Sequence, residues 1–467
     1  MITVIRREIL SMVRDGRFWA AGALLTLLIF ISVLVGLQDQ SAKEKIRKQA
    51  GADLRQEWEN QKDKDPHAAS HFGTYIIKPN GPVSWLDPGI EPYLGSALFV
   101  EAHFRNDFVH RPATDSTTLR HFGYLSPSFV LQVVAPLIII LFCFSSFAAD
   151  REAGILRLLL SSGVKPITLV GGKILGSLLG LALLLLPSLL ISGLILGQAA
   201  GFADLSRLLF LSLGYFLYLL TFASLTLFAS ALAPKSQVAL SAMILVWIAT
   251  CFILPRTVSD FAAAQSPLPS KAAFADRIYE QKTKGIDGHN PQDERRDALL
   301  KQTLAEYKVS RIEDLPVNFD AIALQASEDF TSELYTNEFN KVAAQLEAQA
   351  GFVRKIAAAA PYLAIRDWSM AAAGTDFSHH KHFSDSAENY RQNLVRQLNN
   401  DMKVNSKTGE YTYTVREDFW KTVPEFSYSP PELSWSLKSS WSMLGLLGGW
   451  ALISSLLALA SAVRIKP

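Results

Sequence analysis

The chain has 467 residues, 49% of them hydrophobic, and a formal net charge of +2. So small a net charge gives no sign of a nucleic-acid partner, and a mean hydropathy of +0.18 indicates that much of the chain lies in lipid. The two cysteines, Cys143 and Cys251, both fall within apolar runs, so the sequence contains no disulfide framework.

Residues 1–17 combine helical spacing with basic charge. Ile2, Ile5 and Ile9 recur on one helical face, whereas Arg6 and Arg7 lie on others. The pattern predicts an amphipathic helix lying in the cytoplasmic membrane interface. The alternative is that these residues are merely the start of the first span.

Six apolar runs of about 17–25 residues are each long enough to cross the hydrocarbon core as a helix. They cover residues 18–37, 129–149, 174–197, 208–232, 238–254 and 441–463. Backbone groups in lipid need internal partners, so such runs must be helical. We expect the first run to be retained rather than cleaved, because residues 35–37 do not form a signal-peptidase site. The sequence therefore predicts an all-α polytopic membrane protein with six transmembrane helices.

Lysine and arginine residues set the expected orientation. Among the short segments that flank the spans, they lie before the first span, in the loop 150–173, at Lys235 and in the tail 464–467. Short loops rich in these residues stay cytoplasmic, so both termini are expected in the cytoplasm. Two long insertions, residues 38–128 and 255–440, are then extracytoplasmic.

The two insertions differ in pattern. The first opens with a charged helical run over 41–64 and continues as short strands and Pro/Gly-rich loops, with Trp85 and Tyr93 expected in its core. The second is mainly helical. Its apolar positions keep a helical period for about ten turns from Phe319. A further helix is expected to begin near Ser384, with Glu388 completing a capping box.

The loop 150–173 carries a short apolar helix between charged residues and Gly163. Ile155, Leu158 and Leu159 share one face of that helix. An apolar helix at a membrane surface needs something to bury against. Lipid headgroups would serve, and so would a groove on a soluble protein.

This loop carries a family resemblance. The run Glu152-Ala-Gly154-Ile155-Leu-Arg157-Leu158-Leu159-Leu-Ser-Ser-Gly-Val resembles the E-x-G-T-L-x-x-L-L-S-x-P-V signature of ABC-2-type transporter permeases. It departs from the signature at Ile155, where threonine is usual, and at Gly163, where proline is common. Residues 71–75, 87–89, 101–103 and 374–380 resemble the branch that carries the domain of unknown function 3526.

The resemblance implies that the loop is a coupling helix that docks into a separate ATPase subunit. It places the coupling residues at Glu152, Gly154, Ile155, Arg157, Leu158 and Leu159, and it makes residues 1–17 the elbow helix, with Arg6, Arg7 and Ile9. It implies two permeases, identical or related, with two ATPase subunits that hold ATP and Mg²⁺. A bacterial inner membrane is the expected location.

The chain has no ATP site of its own in its sequence. Gly171-Gly172-Lys173 superficially resembles a phosphate loop, but Ile167 stands where its first glycine must fall and Ile174 where its Ser/Thr must fall. We interpret the glycines as positions of close helix packing. The sequence contains neither a zinc-protease motif nor a Gly-x-Ser-x-Gly elbow, so we predict no catalytic residue.

Three functions remain open. The chain is an exporter subunit, a mechanotransmission subunit that drives an extracytoplasmic partner without transport, or a membrane scaffold that needs no ATPase. Charges are absent from the span centres, and Lys173 and Arg207 are expected to snorkel from span ends, which argues against a secondary transporter.

The histidines invite a metal hypothesis. All nine fall in the predicted insertions, and His379 and His382 would share a helical face. A structural role for these two is favoured over a metal site.

Overall fold

The computed structural model describes residues 1–111, 125–199, 202–287, 289–290 and 292–464. The chain is 75% helical. Six of the described helices are long and apolar enough to cross a membrane. The prediction of an all-α polytopic membrane protein is therefore confirmed. Residues 112–124 of the predicted first insertion and 465–467 of the predicted tail lie outside the described residues.

The chain begins with two helices joined at one extended residue. Helix α1 (Ile2–Arg14) ends at Asp15, and α2 (Gly16–Glu59) follows directly. With 44 residues, α2 is far longer than a membrane crossing requires. It contains the predicted first span and continues through most of the charged run over 41–64. The first span and the start of the first insertion therefore form one continuous helix.

The first insertion continues as a small mixed unit. Its elements are α3 (Pro66–Phe72), β1 (Thr74–Ile77), α4 (Glu91–Leu94), β2 (Ala97–Glu101) and β3 (Phe104–Arg105). The strands form an antiparallel sheet in the order β1-β2-β3, with Thr74 opposite Val100 and Val100 opposite Arg105. Trp85 is buried as predicted. The prediction for Tyr93 is wrong: it is 58% exposed, because the four-residue α4 turns its Pro92 inward instead.

The next four spans form most of the helical bundle. Their elements are α5 (Pro127–Phe129), a π-helical turn (Val130–Val134), α6 (Ala135–Cys143), α7 (Ala148–Glu152), α8 (Ile155–Ser161), α9 (Pro166–Ala199), α10 (Phe202–Leu232), α11 (Ser236–Ile248), a second π-helical turn (Ala249–Ile253) and α12 (Leu254–Gln265). Each π-helical turn ends just before a proline, Pro136 or Pro255. Proline lacks the amide hydrogen and crowds the preceding turn, and a local widening of the helix accommodates it. The helix of the fifth span thus runs past its predicted end at residue 254 into the second insertion.

The second insertion is mainly helical and returns to the membrane through the last span. Its elements are α13 (Lys271–Lys282), α14 (Glu294–Tyr307), α15 (Phe319–Ile356), α16 (Pro361–Ala373), α17 (Phe377–Asn405), α18 (Glu417–Thr422) and α19 (Leu433–Leu437), followed by α20 (Trp441–Ala460) and a 3₁₀ turn (Ser461–Arg464). The predicted start of a helix near Ser384 is wrong. Asp376 caps α17 instead, accepting a hydrogen bond from the His379 backbone N–H at 3.0 Å.

Helix α16 belongs to the second insertion but packs inside the bundle against α10 and α20. Trp368 is fully buried and donates its indole N–H to the carbonyl of Phe210 at 2.9 Å. A β-carbon added at Gly214 would lie 2.4 Å from the Trp368 ring, so this approach needs glycine. Gly214 therefore lets α10 approach α16 closely.

Arg207 fastens the same region and does not snorkel as predicted. It is 4% exposed and donates to the carbonyls of Ala372 at 3.0 Å and Pro431 at 2.9 Å. The Ala372 carbonyl lies in the last turn of α16, and the Pro431 carbonyl lies just before α19. The guanidinium of Arg207 therefore attaches the second insertion to the start of α10.

Candidate functional site

The predicted coupling loop lies on the bundle face that also carries α1 and the turn 233–235; we call this the short-loop face. In that loop, α7 and the seven-residue α8 are joined at Gly154. Gly154 has φ +71° and Gly163, which follows α8, has φ +88°. A β-carbon at either glycine would meet nothing within 4 Å. Backbone conformation rather than space therefore selects glycine here.

The apolar residues of α8 divide between the bundle and the surface. Leu156 is 1% exposed and anchors the helix, and Leu159 is half-buried against the main core. Leu158 is 68% exposed and Ile155 is 36% exposed. Leu158 and Ile155 thus form an apolar patch with Arg157 exposed beside them. Of the predicted apolar residues, Leu158 and Ile155 are the ones exposed enough to contact another molecule.

Glu152 is used inside the chain. Its carboxylate accepts hydrogen bonds from the Ser236 backbone N–H at 2.8 Å and the Ser236 hydroxyl at 3.2 Å, which caps the start of α11. Neighbouring Arg151 donates to the carbonyls of Ala231 at 2.5 Å and Ala233 at 2.6 Å, at the end of α10. The two residues clamp the predicted coupling loop to the turn between the fourth and fifth spans.

Helix α1 packs along a stripe of glycines on α9. Added β-carbons at Gly172, Gly176 and Gly180 would lie 2.7 Å from Val4, 2.6 Å from Glu8 and 2.7 Å from the Met12 sulfur. The two sets share a four-residue period, so α1 fits in register along the first turns of α9. This contact confirms the interpretation of Gly172 as a packing position.

A buried ionic cluster joins α1, the end of α6–α7 and α9. Lys173 is 3% exposed and its Nζ lies 3.1 Å from the Glu8 carboxylate and 2.9 Å from the Asp150 carboxylate. It also donates to the Ser146 carbonyl at 2.5 Å. On the other side, Arg7 pairs with Asp150 at 3.1 Å. Lys173 is therefore buried and does not snorkel as predicted; it links α1, the end of α6–α7 and α9.

The other predicted residues of α1 lie around this cluster. Ile9 is half-buried on the packed side, and Arg6 is exposed. Arg6 and Arg14 line a shallow basic concavity on the outer side of α1. A basic surface of this kind suits lipid phosphates, although the predicted interfacial position of α1 stays a prediction.

His379 and His382 do not converge on a common point. The His379 Nδ1 pairs with Asp376, and its Nε2 contacts the Ser436 hydroxyl at 2.8 Å. The His382 Nδ1 contacts the Tyr428 hydroxyl at 3.0 Å. Between them, burial lowers the pKa of His380 to about 3, so that ring is neutral. The structural role favoured for the pair accounts for their contacts.

Sequence reasoning missed the Glu8–Lys173–Asp150 cluster. Glu8 lies within an amphipathic segment and Lys173 at a span end, where charged side chains ordinarily reach water. The position of Glu8 around the helix could have revealed the cluster. Glu8 lies on the same helical face as Val4 and Met12, the two residues that pack on the glycine stripe. An acid on a packed face predicts a buried cation opposite.

Comparison with known proteins identifies two consecutive regions. A family described as ABC-2 family transporter protein matches residues 106–274, which contain α8 and the second to fifth spans. A family described as domain of unknown function (DUF3526) matches residues 271–429, most of the second insertion. No curated protein matches the chain. With its six candidate membrane helices, the chain is a multi-pass membrane protein that belongs to the ABC-2-type transporter permeases, the membrane subunits that pair with a separate ABC ATPase, in the branch that carries the domain of unknown function 3526.

Proposed function

We propose that this chain is the permease subunit of an ATP-driven exporter, with α8 as the helix on which a separate ATPase subunit docks. The exposed Leu158 and Ile155 on a firmly anchored α8 carry this proposal. Burying a leucine side chain contributes about 1.5–3 kcal/mol to association. Arg157 beside the patch adds a charge that can select the partner.

The contacts of α7, which is joined to α8 at Gly154, suggest how a displacement caused by the ATPase would spread. The ATPase subunits bind ATP and Mg²⁺, and their closure would displace α8. Arg151 and Glu152 would pass that displacement to α10 and α11. Asp150 and Lys173 would pass it to α9 and α1. Rigid links of this kind transmit motion between packed elements without large local deformation.

The assembly follows from the same hypothesis. Two permeases, identical or related, would each receive one of two ATPase subunits in a bacterial inner membrane. The short-loop face and both termini would be cytoplasmic, as the positive charges favour. The two insertions would lie outside, where they can meet an extracytoplasmic partner.

One observation favours a second candidate, mechanotransmission without transport. Helix α16 of the second insertion packs directly on α10 and α20, and Arg207 fastens its end. Any movement of these spans would therefore move the insertion. Transport of a labelled substrate into vesicles supports export, whereas ATP-dependent movement of the insertions without a transported substrate supports mechanotransmission.

Replacing Leu158 by arginine is expected to weaken association with the ATPase at least about tenfold, since it removes the apolar contact and places a charge in its groove. The measurement is recovery of a P-loop subunit with the detergent-purified chain, identified by mass spectrometry. Val404→Arg is the matched control, because Val404 is 60% exposed on α17, in the second insertion. Leu159 is a poorer choice, since its change also disturbs the bundle. Equal recovery with both variants would contradict the docking role of α8.

A further inference from the structure

Four histidine rings converge at the junction of the two insertions, away from the short-loop face. They are His67, His71, His103 and His289, and one ring nitrogen of each lies within 4.8 Å of the others. His67 and His71 are one turn apart on α3, and His103 occupies the turn between β2 and β3. His289 comes from the connection between α13 and α14.

The four rings are spaced closely enough to share one metal ion. The Nε2 atoms of His67 and His71 are 3.3 Å apart, and those of His103 and His289 are 2.9 Å apart. All six ring-to-ring distances fall between 4.9 and 6.0 Å. A tetrahedral zinc ion with Zn–N bonds of about 2.0–2.1 Å separates its nitrogen ligands by about 3.3 Å. Two isolated hydrogen-bonded pairs would not require all four rings to meet at one point.

The Nδ1 atoms of the two buried histidines, His67 and His103, are fixed by polar side chains on the side away from the cluster. The Nδ1 of His67 donates to the Asn399 side-chain oxygen at 2.9 Å, and the amide of Asn399 is oriented by Gln325 at 3.0 Å. The Nδ1 of His103 pairs with Glu328. Carbonyl and carboxylate partners of this kind fix the ring and leave Nε2 free for a metal.

The backbone at His103 is adapted to this position. His103 has φ +65°, which is unfavourable for a residue with a β-carbon. Its backbone N–H donates to the Glu328 carboxylate at 2.7 Å, which helps to hold that conformation. Strained backbone that is held in place by surrounding contacts is typical of functional positions.

We propose that these four histidines bind one zinc ion. Imidazole suits Zn²⁺, whereas Mg²⁺ and Ca²⁺ prefer oxygen ligands. The only cysteines, Cys143 and Cys251, lie in the spans and supply no thiolate here. His67 and His103 are buried while His71 and His289 are exposed, so the ion can reach the site from solvent.

Four protein ligands leave no open position for a substrate, so the ion is structural rather than catalytic. Three ligands belong to the first insertion and one to the second. The ion therefore cross-links the two insertions, a fastening that disulfides provide in other proteins outside the cytoplasm. This site does not depend on the proposed transport function.

The test uses the full chain in detergent, purified with a tag that contains no histidine and stripped with a chelator. Zn²⁺ alone is then titrated and bound metal is counted by mass spectrometry after dialysis. We expect one Zn²⁺ per chain and a raised unfolding temperature. His71→Gln/His289→Gln changes only exposed ligands and should weaken binding more than about 100-fold, beyond the usual effect of losing an outer-shell partner. His110→Gln, an exposed histidine outside the cluster, should bind as the parent does.

A second readout keeps the result independent of folding. Co²⁺ alone, added to the stripped chain, should give the intense visible absorption of tetrahedral coordination, and the double variant should lack it. Absence of stoichiometric Zn²⁺ from the parent chain, or equal binding by the double variant, would overturn the site. Stoichiometric binding of Cu²⁺ with none of Zn²⁺ would overturn the assignment of the metal.

Discussion

Replacing Lys173 by methionine is expected to destabilise the chain by about 3–5 kcal/mol, the usual effect of breaking a buried ion pair from one side. The ammonium is 3% exposed and lies within 3.1 Å of both Glu8 and Asp150. Methionine fills similar space but leaves the Glu8 and Asp150 carboxylates without the ammonium, while Arg7 still pairs with Asp150. The measurement is thermal unfolding of the detergent-purified chain.

Two further variants isolate the ionic contribution. Lys165→Met removes an exposed lysine nearby and should change the unfolding temperature little. Glu8→Gln in the Lys173→Met background removes one uncompensated charge and should restore part of the loss. A Lys173→Met chain as stable as the Lys165→Met chain would show that the cluster does not hold α1 onto α9.

Replacing Arg391 by methionine is expected to destabilise the second insertion to a similar extent, about 3–5 kcal/mol. Arg391 is 2% exposed on α17. Its guanidinium binds Glu388 through two nitrogens, at 2.8 and 3.0 Å, and Glu328 at 3.3 Å. It also donates to the Ser332 hydroxyl at 2.6 Å. The change leaves the buried carboxylates of Glu328 on α15 and Glu388 on α17 without their guanidinium partner.

Arg396 offers a matched control on the same helix. It pairs with Asp329 at 3.1 Å, but both side chains are more than half exposed. Arg396→Met should therefore cost no more than about 1 kcal/mol. Because Glu328 also holds His103, Arg391→Met should weaken Zn²⁺ binding as well if the four-histidine site is correct. Equal unfolding temperatures for the two variants would contradict the structural role of Arg391.

The spans and the short loop helix were accessible from sequence, because both depend on local patterns. Long apolar runs predict membrane-spanning helices directly. The spacing of Gly154 and Gly163 predicts a short helix between two residues in the left-handed conformation. The period of four in Gly172, Gly176 and Gly180 was also visible, although its partner on α1 was not. Local patterns fix which elements exist and leave their neighbours undetermined.

The features that were missed depend on distant residues. His67 and His71 show the one-turn spacing of metal ligands, but His103 and His289 come together from positions 186 residues apart. The sequence places α16 within the second insertion, and its burial follows only from packing against α10 and α20. The start of α17 was misplaced because the histidine-rich segment 379–382 has a weak apolar period, and its cap, Asp376, lies eight residues before Ser384.

Cross-linking from a cysteine introduced at position 158 tests the central claim most directly. Cys143 is fully buried and Cys251 is 5% exposed, so Leu158→Cys supplies the one readily reactive thiol among the described residues. We predict that a short thiol-to-amine cross-linker joins this chain to a P-loop ATPase subunit in native membranes, and that Val404→Cys forms no such product. Labelling of Leu158→Cys by an impermeant maleimide in sealed inside-out vesicles, and not in right-side-out ones, is expected in the same preparation. Labelling from the outer side, or a cross-link to no ATPase, would contradict α8 as the coupling helix.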